Sequence, residues 1–324
     1  GSVLEPTDLP RAVETSRNVV GEFELRAQAV IVTSGGIGGN HDLVRSVWPE
    51  RLGTPPEHMI SGVPAHVDGR MLGIAEAAGA NHTNRDRMWH YVEGIKGFDP
   101  VWPKHGIRIL PGPSSLWLDA TGKRLPAPAL PGFDTLSTLD ILRQRGYDHS
   151  WFILTQSIIE KEFALSGQEQ NPDLTGKSVR ELIKQRLAKG ATAPVEAFKQ
   201  HGEDFIVADT LEELVAKMND LGGGDLLDVA EVRREVEARD REIDNPFTKD
   251  IQVMAMRQTR TYKGDKFVRV ARPHKILDPK KGPLIAVRLH VLTRKSLGGL
   301  QTNLDSQVLR ADGTGFSGLY AAGG

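Results

Sequence analysis

The sequence contains no cysteine. Disulfide frameworks, thiolate zinc sites and cysteine nucleophiles are therefore excluded. No apolar run reaches the ~18 residues of a membrane span. Neither charge is in surplus: 41 Lys and Arg stand against 42 Asp and Glu, a net charge of −1. A nucleic-acid protein carries a basic excess, so nucleic acid is not an expected partner. The N-terminus, Gly1-Ser2-Val3-Leu4-Glu5-Pro6, lacks the basic and apolar regions of a signal peptide, and a cytoplasmic location is expected. His-Glu-x-x-His, Gly-x-Ser-x-Gly and Walker patterns are missing, and the ten histidines show no metal-like spacing. Serine or metal hydrolysis has little support.

What remains is a chain of 324 residues, enough for about two domains of roughly 150 residues. Val19-Val20 and Glu22–Leu25 alternate around Gly21 as one strand. Ala29-Val30-Ile31-Val32-Thr33 is a second strand, suited to burial on both faces. It enters the turn Ser34-Gly35-Gly36-Ile37-Gly38-Gly39-Asn40, either a ligand-contacting turn or a tight structural one. Residues 66–80 carry a helical pattern ended by Gly79. Residues 97–134 are rich in Pro and Gly, with a strand at Ser115–Asp119. Helices are predicted at 155–165, 175–189, 193–200, 210–220 and 228–243, the last opened by the capping-box spacing of Asp228 and Glu231. Strands return at Pro283–Leu289, and at 298–303 with 307–309, joined by a turn at 304–306. Strands, helices, strands fit an α+β chain in which a mostly helical domain is inserted into a split sheet domain. The C-terminus runs apolar residues into Gly323-Gly324, as if cut where a strand meets a turn, so a fragment of a longer protein is expected.

Two cationic features stand out. Residues 257–281 carry nine Lys or Arg against Asp265 and Asp278. This is either a solvated surface or an anion-attracting wall, and it supports a rival reading: a non-enzymatic module binding an anion or a partner. Arg294-Lys295-Ser296-Leu297-Gly298-Gly299-Leu300 places two cations before a small-residue turn, either a site or a hairpin.

Several segments together carry a resemblance. Ala29–Gly36 resembles the Ala-Thr-Gly-Gly strand–turn of two-dinucleotide-domain flavoproteins. Val67-Asp68-Gly69-Arg70-Met71 with Ala77-Ala78-Gly79-Ala80 is similar to their Gly-Asp-Gly helix. Leu297–Leu300, Val308-Leu309 and Gly318–Gly323 are similar to their C-terminal flavin-binding signature. The chain thus resembles the fumarate reductase and 3-ketosteroid Δ1-dehydrogenase family.

That resemblance implies FAD-domain segments at 1–103 and 274–324, around a capping domain at 104–273. It implies FAD as cofactor, bound weakly or not at all by this chain alone. It further implies oxidation of a CH–CH bond beside a carbonyl, a small-molecule substrate of steroid-like type, and an electron acceptor. Ser34, Gly35, Gly36, Gly298, Gly299, Leu319, Ala322 and Gly323 are the expected cofactor contacts. Gly298 and Gly299 also serve as substrate clamp, and Lys249, Tyr262 and Arg294 are the catalytic candidates. Departures from the family pattern are Gly324 in place of an acid, Phe247-Thr248-Lys249 in place of Phe-x-Arg, Leu297 in place of His, and Pro283-Leu284-Ile285 where steroid dehydrogenases carry an aromatic pair.

Overall fold

The computed structural model describes residues 1–167 and 178–323. In chain order its elements are β1 (Ser2–Leu4), β2 (Val19–Glu22), β3 (Val30–Val32), α1 (His41–Ser46), β4 (Ile60–Ser61), α2 (Arg70–Ala77), β5 (His82–Thr83), β6 (Met88–Lys96), β7 (Gly106–Leu110) and β8 (Leu116–Asp119). Then follow α3 (Thr135–Gln144), β9 (His149–Thr155), α4 (Gln156–Glu162), β10 (Ala164–Leu165), α5 (Val179–Leu187), α6 (Ala193–His201), β11 (Phe205–Ala208), α7 (Leu211–Gly222), α8 (Val229–Asp244), α9 (Ile251–Thr259) and α10 (Lys263–Val268). The chain ends with β12 (Leu284–Ser296), β13 (Gly299–Leu300), β14 (Gln307–Leu309) and β15 (Gly315–Ala321).

An eight-stranded sheet is built around β12. The first half of β12 lies between β9 and β11, both antiparallel to it. Its second half lies between antiparallel β6 and parallel β4. Alternation along β9 sends Phe152 and Leu154 to one core and Trp151 and Ile153 to the other. The first face is covered by Leu139 of α3, Ile158 and Ile159 of α4, and Phe198 of α6. The second is covered by Leu214, Val215 and Met218 of α7 with Val232 and Val236 of α8. Residues 104–273 are helix-rich and also contribute β7 to β11 to this sheet.

The helices start where side-chain acceptors are available for free N–H groups. Asp134, Thr155, Thr210 and Asp250 cap α3, α4, α7 and α9. Asp228 caps α8 through Ala230 and Glu231, but the Glu231 carboxylate turns to Arg234, so only half of the capping box forms. The helix expected over 66–80 is confined to α2, because Gly69 and Gly79 adopt φ of 78° and 101°. The part of the 175–189 helix at 175–177 lies outside the described residues, as does Gly324. Strand β6 was not expected: His90 and Glu93 interrupt its apolar run, yet both are buried. Strand β9 runs straight into α4, and Thr155 is both its last residue and the helix cap. Among the described residues no helix is long and apolar enough to cross a membrane.

Strand β3 differs from expectation. It is an edge strand of the sheet β14-β15-β3, paired parallel to β15. Val30 and Ile31 are exposed and only Val32 is buried. An apolar β-branched run specifies a strand, but burial depends on what packs over it, and no layer of the described residues covers this one.

Candidate functional site

The turn after β3 is fixed against the end of β12. Ile37 N–H donates to Ser296 Oγ at 3.0 Å, and Thr293 Oγ1 donates to the Gly38 carbonyl at 2.6 Å. Gly39 N–H reaches the Val67 carbonyl at 2.8 Å. This close approach explains the glycines. A Cβ on Gly36 would lie 1.9 Å from Ser296 Oγ, and one on Gly38 would lie 2.9 Å from the Arg294 carbonyl oxygen. Gly35 supplies a left-handed φ of 76°. The turn is thus structurally required, and it also faces a cleft.

That cleft, of about 150 Å³, is lined by Ser34, Gly35 and Gly36 on one side and by Gly298 and Gly299 on another. Ala322 and Gly323 at the end of β15 complete it. Segments nearly three hundred residues apart in sequence meet here because β15 pairs with β3, bringing Ala321 opposite Val32. Leu319 pairs with Val30 in the same ladder but does not line the cleft. Val32, Leu72, Ser296, Leu300 and Thr302 also line it and were not singled out from sequence. Ser296 could have been, since it directly follows the two cations and precedes the Gly-Gly turn.

The expected hairpin is present in part. Thr302 bridges Val308, and Leu309 N–H donates to the Gln301 carbonyl at 2.8 Å. Residues 299–300 instead pair with β5, and β14 pairs with β15. The two glycines of the turn are not equivalent. A Cβ on Gly298 would fall 2.0 Å from the Asn84 carbonyl oxygen, whereas one on Gly299 would meet nothing within 4 Å. Gly298 is therefore a packing glycine, and Gly299 leaves open space at the cleft. The backbone N–H groups of Ser34, Gly35, Gly36 and Gly298 donate no hydrogen bond within the described residues. Open space beside unengaged donors fits the edge of a flat, heteroatom-rich ring such as a flavin.

The three catalytic candidates are placed differently. Arg294 is half-buried two residues before Ser296, with its guanidinium 6.0 Å from the ring centre of Tyr91. Arg108 stacks on the same ring at 4.0 Å and also pairs with the buried Glu93 at 3.3 Å. Burial pushes the Glu93 carboxyl up, against the opposing pull of Arg108. Tyr91 was not legible as a partner of Arg294, because β6 itself was not expected. Lys249 is exposed just before α9, and Tyr262 is 68% exposed just before α10. None of the three lines the glycine cleft.

Part of the basic 257–281 stretch is engaged in structure. Arg257 donates to the Ile243 and Asn245 carbonyls, and Arg260 to that of Val270. Lys275 pairs with Asp244 at 2.5 Å. Leu284 and Ile285 are buried in the sheet core, Ile285 completely. These aliphatic side chains stand where β12 pairs with both β9 and β11.

The chain resembles known proteins along nearly its whole length. The family model described as FAD binding domain matches residues 8–324. A KsdD-like steroid dehydrogenase of Mycolicibacterium smegmatis is 65% identical over 323 residues, covering 100% of this chain and 59% of the relative. A KsdD-like steroid dehydrogenase of Mycobacterium tuberculosis (strain H37Rv) is 60% identical, covering 100% of this chain and 57% of the relative. The chain thus spans well under two thirds of the length of these relatives. Among solved structures, 3-ketosteroid delta1-dehydrogenase from Sterolibacterium denitrificans superposes with a TM-score of 0.55 at 18% identity, over 99% of this chain and 52% of that one. The open conformation of a flavocytochrome c3 fumarate reductase gives 0.54 at 18% identity, over 91% and 40%. These two share the fold. With a family model matching nearly every residue, the chain belongs to the family of FAD-binding domains.

Proposed function

We propose that this chain is the cap-bearing part of an FAD-dependent dehydrogenase that oxidises a CH–CH bond beside a carbonyl in a steroid-like small molecule. The observation that carries the reading is the convergence of both glycine turns and the end of β15 on one cleft. The names of the relatives, KsdD-like steroid dehydrogenases, support the substrate class. FAD, when bound, supplies the hydride acceptor, and a separate electron acceptor must reoxidise it.

In this reading 1–103 and 274–324 belong to the FAD domain and 104–273 to the cap. Gly299 lets the ring approach, and the Gly298 N–H is free to clamp a substrate carbonyl. Ser34, Gly35, Gly36, Ala322 and Gly323 hold the cofactor edge, with Leu319 supporting them from the β15 ladder. Arg294 stabilises developing negative charge, and its place two residues before Ser296 of the cleft lining favours it over Lys249 and Tyr262. All three would reach a substrate only from outside the glycine cleft. A cleft of about 150 Å³ lies below the ~300 Å³ at which ligand pockets begin, so FAD binding by this chain alone should be weak or nil. The test is steroid-dependent reduction of an artificial electron acceptor by the full-length protein. Reduction with a 3-ketosteroid, and its loss in Arg294→Met, are the expected results. Turnover unaffected by that substitution would remove Arg294 from the mechanism, and absence of turnover across a ketosteroid panel would remove the substrate class.

A further inference from the structure

Strand β12 changes both of its neighbours midway. On one edge β11 ends opposite Val287 and β6 begins opposite His290. On the other, β9 ends opposite His290 and β4 begins opposite Leu292. A sheet with such a handover has a gap in its ladder where no neighbouring strand covers the edge of β12. Here the gap opens into a cleft of about 650 Å³, distinct in its lining from the glycine cleft.

Its floor is rigidly organised. Asp204, only 1% exposed, accepts from Lys96 N–H at 2.7 Å, Arg288 Nε at 3.0 Å and His290 Nε2 at 2.9 Å. Those donors hold its carboxyl below the usual range despite burial, so it stays ionised. Glu203 is neutralised by Lys96 and Arg288, and Asp148 by Arg143. Among the described residues Lys104, His149 and the exposed Glu57 remain unspent on the wall, and the lining cations Arg45, Lys96, Lys104 and Arg288 outnumber the carboxylates Glu57, Asp148 and Glu203. The His149 ring makes no hydrogen bond among the described residues; burial, with Arg288 and His290 nearby, lowers its pKa to about 4 and keeps it neutral. Lys104 is exposed and has no carboxylate partner among the described residues. Its backbone is left-handed, with φ 58°, and so is that of Ala12 on the same cleft, with φ 66°. Such conformations in non-glycine residues are strained and cluster at ligand sites. The Lys104 carbonyl accepts from Ser61 N–H at 2.7 Å, which pins the strained residue to β4. No set of three metal-ligating side chains occurs among the described residues, so the imidazoles do not point to a metal.

We propose that this cleft is a second small-molecule site, taking a compact anion, carboxylate or phosphate, with Lys104 as its charge partner and His149 as a neutral hydrogen-bonding group. The site is independent of the flavin reading, since no residue is shared with the glycine cleft. The experiment is titration calorimetry of this chain with inorganic phosphate and, separately, with citrate, at low ionic strength. One saturable site is expected for at least one probe, and the stronger of the two identifies the anion class. Lys104→Met and His149→Phe are each expected to weaken it at least tenfold. Lys266→Met, on the exposed basic stretch, should leave it unchanged. Circular dichroism checks that each variant is folded. The proposal is overturned by no saturable heat with either probe, or by binding that survives Lys104→Met in a folded protein. Binding lost in Lys266→Met but kept in Lys104→Met would also overturn it, placing the anion on the 257–281 stretch instead.

Discussion

Gly298→Ala is expected to lower stability by about 3 kcal/mol or more, while Gly299→Ala, one residue on, changes it by less than about 0.5 kcal/mol. The contrast follows from what each new methyl group meets. At Gly298 it lands 2.0 Å from the Asn84 oxygen and 2.6 Å from the Thr83 oxygen. Both are backbone atoms, so no rotamer change relieves the clash. Relief requires opening the β13–β5 pair, in which Gly299 lies opposite Thr83. At Gly299 the methyl meets nothing, and the residue's φ is not left-handed. Its cost therefore appears only when something flat must occupy that space. Urea melts of both variants check the stability difference. Equal midpoints would show that the 297–300 turn relaxes freely.

The second large effect is acid sensitivity. His90 is 2% exposed, its Nδ1 has no partner, and burial followed by the proximity of His41 lowers its pKa to about 4. His41 is lowered to about 4 by burial and then by Lys104 and Arg45, and His149 likewise by burial and then Arg288 and His290. In each case the folded value lies below the unfolded 6.5, so the unfolded chain takes up the proton first. Their contribution is complete above pH 6.5 and is lost as pH falls towards 4. His90 alone accounts for ~3 kcal/mol. Glu162 acts in the opposite sense. Burial raises it from 4.5 to about 7, against hydrogen bonds from Ser114 and Ala271, so its cost at neutral pH is relieved on acidification. It offsets about one histidine; Glu93, also raised by burial, adds to that offset, and His274, also lowered by burial, opposes it. The urea midpoint is therefore expected to fall steadily between pH 6.5 and 4, and to fall less in His90→Phe. A midpoint that is flat across this window would contradict the buried neutral state of these rings.

How much of this was legible in the sequence depends on where the signal lay. Local signals read well. The Asp228 cap, the Gly79 end of α2 and the Gly-rich turn after β3 are all set by single residues and their neighbours, whereas the start of α2 at Gly69 was not read. The glycine cleft was legible because each wall carries its own small-residue motif. The central sheet was not. His90 and Glu93 mask β6, and β9 shares Thr155 with a helix, so periodicity had no clean window at either. With β6 hidden, Tyr91 could not be joined to Arg294. The cleft at the β12 handover was also invisible. Asp204, His149 and His290 meet only through the pairing of three distant strands, and scattered histidines carry no spacing signal.

The central claim is that the two glycine turns receive a flavin edge through the open space at Gly299. Its most direct test is the visible absorption of the full-length protein after incubation with FAD and gel filtration, compared between the unsubstituted protein and Gly299→Ala. A flavin band that persists in the former and falls at least tenfold in the latter, with urea midpoints unchanged, is the expected result. A band of equal strength in both would contradict flavin approach at Gly299, and no band in the unsubstituted protein would contradict the assignment of this cleft to FAD.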